Sequence, residues 1–218
     1  LPSIAYRETI TAKAEGHHRH KKQTGGAGQF GEVYLRVEPL PQGEGFQFGS
    51  EVVGGAIPSG FIPAVENGVK QAMAEGAVNG YPMQDVRVVV TDGKHHSVDS
   101  KEIAFVQAGK KAFLDAVAKA RPIVMEPIVN AEFTIPSDSV GGVTGDLSGM
   151  RGMITGTDAL PDGRAVVAGQ VPLQELQGYH SRLKSLTGGE GSFTMEFSHY
   201  AEVPAVQLKE LKAANEPG

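Results

Sequence analysis

Between His17 and Gly31 the chain reads HHRHKKQTGGAGQFG, with three histidines, three fixed cations (Arg19, Lys21, Lys22), four glycines and no acid. Lysine and arginine neutralise phosphates, histidine stacks or hydrogen-bonds on unpaired bases, and glycine lets a backbone come close to a groove. The stretch has neither a helical apolar period nor a clean alternation. It reads as a mobile basic loop at one end of a compact module, facing something acidic. Two later glycine-bearing turns, Val53–Ser59 and Asp92–Ser97, are candidates to stand beside it. The second would add His95 and His96.

Other chemistries fit less well. There is no GxxxxGK[ST] and no GxGxxG at a strand–helix junction, so no nucleotide-phosphate loop. Gly141-Gly142 opens a helix that could hold an anion, but turn glycines explain the pair equally. His17, His18 and His20 could join His95 or His96 around a metal, yet the neighbouring lysines and arginine repel a cation. His95, His96 and Asp99 could form an acid–base set, but Asp99 also reads as a helix cap, three residues before Glu102. The absence of cysteine excludes disulfides, thiol catalysis and Cys-ligated zinc. The residues alone favour RNA contact over protein docking, and either over an enzyme; all three stay open.

The 218 residues suffice for one large domain or two of about 100 residues each. Twenty-nine glycines stand where about 15 are usual, so turns and close backbone approaches are expected. Aromatics are only 6% and tryptophan is absent, so the cores must be aliphatic. The net charge of −5 hides an asymmetry: residues 1–122 carry 14 Lys and Arg against 13 Asp and Glu, and residues 123–203 carry 4 against 10. If RNA is the partner, the first module reaches it. No secretory signal and no apolar run of membrane-spanning length is seen, so the cytoplasm is the expected location and no membrane an expected partner. The chain starts at Leu1 without methionine, which suggests a missing N-terminal part.

An edge strand is expected over Ala5–Ala14, with Glu8 spoiling its apolar face. Strands follow at Glu32–Glu38 and Phe46–Val53, expected to pair as a hairpin. Pro63 opens a helix to about Gly76, buried through Val65, Val69, Ala72 and Met73. Asp85–Val90 is strongly β-branched and reads as a central strand. Asp99 then caps a helix to about Lys119, with Ile103, Val106, Phe113 and Val117 on its apolar face. Arg121-Pro122 marks a domain boundary. Beyond it come a strand (128–135), a helix (140–150), strands (153–160 and 165–171), a helix (172–187) and a strand (192–198) with Phe193, Met195 and Phe197 inward. This β-α-β-β-α-β order is the ferredoxin-like pattern. Residues 205–218 read as a polar C-terminal tail or fraying helix.

Ordered segments then carry a resemblance: AYRETI (5–10), TGGAGQFGEV (24–33), GGAIPSGFIPAVENGV (54–69), NGYPMQDVRVVVTDG (79–93), HSVDSKEIAF (96–105), ARPIVMEPI (120–128), GDLSGMRGMI (145–154), VPLQELQGY (171–179) and SLTGGEGSFTMEF (185–197). Over nearly all of residues 4 to 204 the chain resembles the fourth and fifth domains of bacterial translation elongation factor G. The resemblance implies an α+β architecture. Residues 1–122 would be a ribosomal-protein-S5-like domain with a left-handed βαβ crossover, against the general right-handed rule. Residues 123–204 would be a ferredoxin-like domain meeting the large ribosomal subunit near its GTPase-associated region. The tip of the first would enter the small-subunit decoding region and follow tRNA and mRNA, through Gly25, Gly26, Gly28, Gln29, Ile57, Pro58 and His96. With Arg19, Lys21, Lys22 and His95 these are the candidate site residues, none of them catalytic. GTP and Mg would bind a separate N-terminal part of the parent, a ribosome-stimulated GTPase, and this chain would hold no cofactor and act as a monomer. Two positions depart from the family pattern: Ala27 stands where GGRGQ has a basic residue, and Gly60 where a glutamate is usual. They point toward a diverged paralogue acting in recycling or ribosomal protection as the alternative.

Overall fold

The computed structural model describes residues 4–23 and 26–216. The chain folds as two compact units, one of Arg7–Val124 with the segment from Val203, the other of Met125–Glu202 with the segment up to Tyr6. Both are α+β.

In the first unit, β1 (Arg7–Thr9) is only three residues long. Glu8, which disturbs the apolar pattern of the expected strand, is fully buried there. Its carboxylate accepts the backbone N–H groups of Ala77, Val78, Asn79 and Tyr81 at 2.6–3.0 Å. Buried carboxyl oxygens need such donors, so Glu8 organises the loop at 76–82.

The basic stretch is a strand rather than a loop: β2 (Ala14–Lys22) pairs antiparallel with β3 (Gln29–Pro39) along its whole length. Its inward positions are Ala14, Gly16, His18 and His20, which carry no apolar alternation for a sequence to show. β4 (Phe46–Ser50) does not form the expected hairpin with β3. α1 (Ile62–Glu75) intervenes before β5 (Val86–Lys94), and β5 inserts between β3 and β4, giving the order β2-β3-β5-β4. β3 and β5 are antiparallel while β4 and β5 are parallel, so β4-α1-β5 is a crossover unit. β5, buried at Val86, Val88, Val89 and Val90, is central as its β-branched run requires.

α2 (Glu102–Lys119) starts at Lys101, without a side-chain cap. Asp99 lies two residues upstream and does not cap it, so the expected capping box is absent. α1 and α2 cover one face of the sheet, burying Val65, Val69 and Met73 with Phe105, Phe113 and Val117 against Val33, Leu35 and Val37. Ile103, expected inward, is 46% exposed in the first turn of α2.

Two close approaches set this packing. A Cβ at Gly16 would overlap the Ala112 carbonyl oxygen and lie 2.6 Å from the Ala116 nitrogen. Where α1 crosses α2, a Cβ at Gly109 would lie 2.7 Å from the Val65 carbonyl oxygen, and one at Gly68 would overlap that of Val106.

The second unit follows the expected order: β6 (Ile123–Pro136), α3 (Val140–Gly149), β7 (Met153–Ala159), β8 (Arg164–Pro172), α4 (Tyr179–Leu186) and β9 (Ser192–Glu202). The unit boundary falls within β6, at Val124/Met125. Its antiparallel sheet runs β9-β6-β8-β7. Val129, Ala131, Phe133 and Ile135 join Val143, Leu147, Leu176 and Leu183 in one core. The helix expected over 172–187 is broken: a 3₁₀ turn (Leu173–Leu176) ends at Gln177, and Gly178 takes φ 75° before α4. Phe197 shares the core face by register opposite Val129 but is 56% exposed. An eight-residue helix is about 12 Å long and an eleven-residue strand about 37 Å, so α4 cannot cover all of β9. Within the segment expected as a tail, α5 (Ala205–Ala214) forms, and Asn215 beyond it donates to the Asn79 carbonyl and the Tyr81 hydroxyl.

Gly16→Ala should lower unfolding free energy by about 1–3 kcal/mol in urea titrations, since overpacked interiors cost that much. Gly49→Ala, where nothing lies within 4 Å of the added carbon, should change it by less than about 0.5 kcal/mol.

Candidate nucleic-acid interface

Partners in an antiparallel ladder point to the same face. The pairs His17–Tyr34, Arg19–Glu32 and Lys21–Phe30 therefore lie on the outer face of the sheet, away from α1 and α2. The alternation of β2 also separates the histidines, with His17 outward and His18 and His20 inward. Among the described residues no group of three or more His, Asp or Glu side chains could hold a metal.

Along most of the outer face the charges are matched. Arg36 makes a bidentate pair with Glu51 at 2.6 and 2.7 Å and also reaches Glu38 at 3.2 Å. Arg87 lies 3.7 Å from Glu38. His17 Nε2 bonds Glu32 Oε1 at 2.7 Å, the Tyr34 hydroxyl donates to the same oxygen at 3.1 Å, and the two rings stack at 4.1 Å. Burial pushes the Glu32 carboxyl up, but these hydrogen bonds outweigh it and hold the group below its ordinary value. On the inward side, burial pushes His18 down, reinforced by the charge of Lys111 and by the neighbouring histidines.

Toward the end of the sheet the matching stops. Arg19, Lys21, Lys22 and Lys94 have no ion-pair partner among the described residues, and all four are exposed. Three turns meet at this end. His95 donates from Nδ1 to the Ala56 carbonyl at 3.2 Å, joining the 95–100 turn to the 51–58 turn. The Phe30 N–H donates to the Asp99 carbonyl at 2.9 Å, and the Ser100 hydroxyl to the Phe30 carbonyl at 3.1 Å, joining it to the start of β3. His96 Nδ1 accepts the N–H groups of Val98 and Asp99 at 3.3 and 3.2 Å, so the ring proton sits on Nε2 of this 55%-exposed side chain.

A cavity of about 120 Å³ opens between them, lined by Arg19, Lys21, Gln23, Gln29, Phe30, His96 and Asp99. The Arg19 guanidinium lies 5.4 Å from the Phe30 ring centre, and the His96 ring 6.3 Å from it. Gln29 is further fixed by His20 Nε2 at 2.9 Å.

Arg19, Lys21, Gln29 and His96 thus come together, with Lys22 beside them in register with Gln29 and His95 on the adjoining turn. Gly26 is exposed and Gly28 buried, while Gly25 lies outside the described residues. Ile57 is only 3% exposed and fills the space below Gly93, where a Cβ would lie 2.5 Å from its side chain; Pro58 is half-buried. Phe30 and Lys94 were not candidates, and Asp99 was weighed only as a helix cap or as part of an acid–base set with His95 and His96. The period of 2 through Phe30, Glu32 and Tyr34 was the signal for the first. Ala27 and Gly60 are both exposed, and nothing lies within 4 Å of a Cβ at Gly60.

The family model for elongation factor G domain IV matches residues 2–121, and that for the elongation factor G C-terminus matches residues 123–211. The chain belongs to the elongation factor G family. It is 51% identical over 203 residues to elongation factor G of Aquifex pyrophilus, covering 93% of this chain and 29% of that protein. It is 46% identical over 203 residues to an elongation factor G-like protein of Thermotoga maritima, covering 93% of this chain and 30% of that protein. A crystal structure of a Thermus thermophilus protein superposes with a TM-score of 0.84 at 40% identity, over 99% of this chain and 32% of that one. The chain therefore spans about three-tenths of the length of these elongation factor G relatives, and the matched models are domain IV and the C-terminus.

The His18 shift has a sign. Its imidazole is more acidic folded than unfolded, so the unfolded chain takes up a proton first as pH falls from about 6.5. Stability should decline through that range, and His18→Gln should flatten the pH 7 to pH 5 segment of the urea-midpoint profile.

Proposed function

We propose that the chain is the ribosome- and RNA-contacting C-terminal part of a translational GTPase that promotes tRNA–mRNA translocation during elongation. The observation that carries this reading is the partition of charge on the first unit. On the strands of the β2-β3-β5-β4 sheet Arg36 and Arg87 are paired, while Arg19, Lys21, Lys22 and Lys94 have no carboxylate partner among the described residues and stand toward the end where turns converge around Phe30 and His96. Exposed unpaired cations gain most from phosphates, which release counterions on contact. Aromatic and imidazole rings beside them suit unstacked bases. The role is steric and electrostatic: the tip, with Gly25 and Gly26 close to RNA and His96 offering Nε2–H to a phosphate or 2′-hydroxyl, holds the codon–anticodon region while the ribosome relaxes, and the buried Gly28 leaves room beneath it for Asp99. Ile57, with Pro58, supports that tip from below. No residue here is assigned a covalent step, and GTP with Mg binds elsewhere in the parent.

Residues 1–122 are read as the S5-like domain with a left-handed crossover at β4-α1-β5, 123–204 as the ferredoxin-like domain contacting the large subunit, and 205–218 as a C-terminal extension. The chain acts as a monomer in the cytoplasm. No helix among the described residues is long and apolar enough to cross a membrane. Ala27 and Gly60 favour one second reading, a paralogue working in recycling or ribosomal protection.

Single-round translocation with the full-length parent and GTP tests the proposal. His96→Ala should slow movement at least tenfold with thermal stability unchanged; a large loss of stability with unchanged movement would overturn the role. Ribosome-stimulated GTP hydrolysis without movement identifies the paralogue. Replacing Lys21 and Lys22 together by Ala should weaken ribosome binding and reduce the slope of log affinity against log salt by about 0.7 for each phosphate no longer neutralised. Ala27→Arg should steepen it.

A further inference from the structure

The cavity at the loop end contains one group that phosphate binding does not explain. The Asp99 carboxylate accepts no hydrogen bond among the described residues. Arg19 and Lys21 line the same cavity without reaching ion-pair distance of it. His96 Nδ1 is 3.7 Å away and already accepts two amide hydrogens. Asp99 does not cap α2 either, since that helix begins without a side-chain cap. Its place is nonetheless built. The main chain is fixed by the Phe30 N–H, and Gly28 leaves room for it, because a Cβ at Gly28 would stand 3.0 Å from Asp99 Cγ. A carboxylate repels phosphate, so a cavity shaped only for phosphate gains nothing from keeping one.

The neighbouring groups give the carboxylate a use. The Arg19 guanidinium over the Phe30 ring makes a flat cationic surface on which a base stacks. Two carboxylate oxygens are paired acceptors. Guanine is the nucleobase whose Watson–Crick edge presents two adjacent donors, N1–H and N2–H. We propose that this cavity takes the base of an unpaired guanosine in RNA, stacked on Arg19 and Phe30, with Asp99 accepting from N1–H and N2–H and Lys21 meeting the adjoining phosphate. The assignment rests on the RNA-contacting reading above. A device that moves every codon cannot select among message bases, so the guanine belongs to a fixed position of the surrounding RNA.

The test is fluorescence anisotropy of the 218-residue chain at low salt with labelled UUXUU pentaribonucleotides, X being guanosine, inosine, adenosine, cytidine or uridine. The guanosine oligomer should bind about tenfold tighter than the adenosine, cytidine and uridine ones, the range for a good bidentate contact. Inosine, which lacks the 2-amino group, should lose most of that margin without any change to the protein. Asp99→Asn, checked for an unchanged melting temperature, should abolish the guanosine preference. Equal affinity for all five oligomers, or a preference that survives in Asp99→Asn, overturns guanine selection alone. Failure of every oligomer to bind overturns it together with the RNA-contacting reading.

Discussion

Helix α2 lies so close to strand β2 that only a hydrogen atom fits between Gly16 and the backbone of Ala112 and Ala116. The rest of the first unit depends on that approach. The same helix meets α1 through Gly109 and Gly68, so α2 sits directly on β2 and α1 directly on α2. Ala104, Ala108, Ala112 and Ala116 complete a seam of small residues, and the bulk of the core comes from Phe105, Phe113 and the valines of β3 and β5. Close packing of this kind transmits position rigidly. It fixes β2 along its length, and with it the direction in which Arg19 and Lys21 project.

On that platform the charges divide by place. Along the outer face Arg36, Arg87 and His17 are matched by Glu51, Glu38 and Glu32. The Arg36 and Arg87 pairs, open to solvent, add little to stability, but together with His17–Glu32 they leave that part of the face without unmatched cations. The four exposed cations at the turn end lack partners among the described residues, so their field is directed outward where His96 and Phe30 stand. Asp99 is the exception, a carboxylate among cations that none of them neutralises directly.

Much of the fold was legible because apolar periodicity is strong where elements are buried on one clear face. Val33, Leu35 and Val37 marked β3, the valines marked β5, Val65, Val69 and Met73 marked α1, and the second unit showed its whole order. β2 was illegible because its inward positions are filled by Ala, Gly and His, residues chosen by the nearness of α2 rather than by hydrophobicity. Glu8 looked like a flaw since a sequence does not show which amides will surround a carboxylate. The β3–β4 hairpin failed because adjacency in sequence outweighed nothing stronger at that point; the insertion of β5 depends on the crossover through α1. At the site, the basic residues and His96 were visible as types in a short span. Phe30 was not, and Asp99 read as a helix cap, since the cavity joins the two across 69 positions of sequence through the ladder and a turn.

The most direct measurement is lysine acetylation footprinting of the full-length parent, free and bound to ribosomes. If the turn end of the first unit meets RNA, Lys21, Lys22 and Lys94 become protected on binding while Lys70 on α1 and Lys209 on α5, both exposed, stay reactive. Continued reactivity of Lys21, Lys22 and Lys94 in the ribosome-bound protein would contradict the account, because cations buried against phosphates cannot remain open to the reagent.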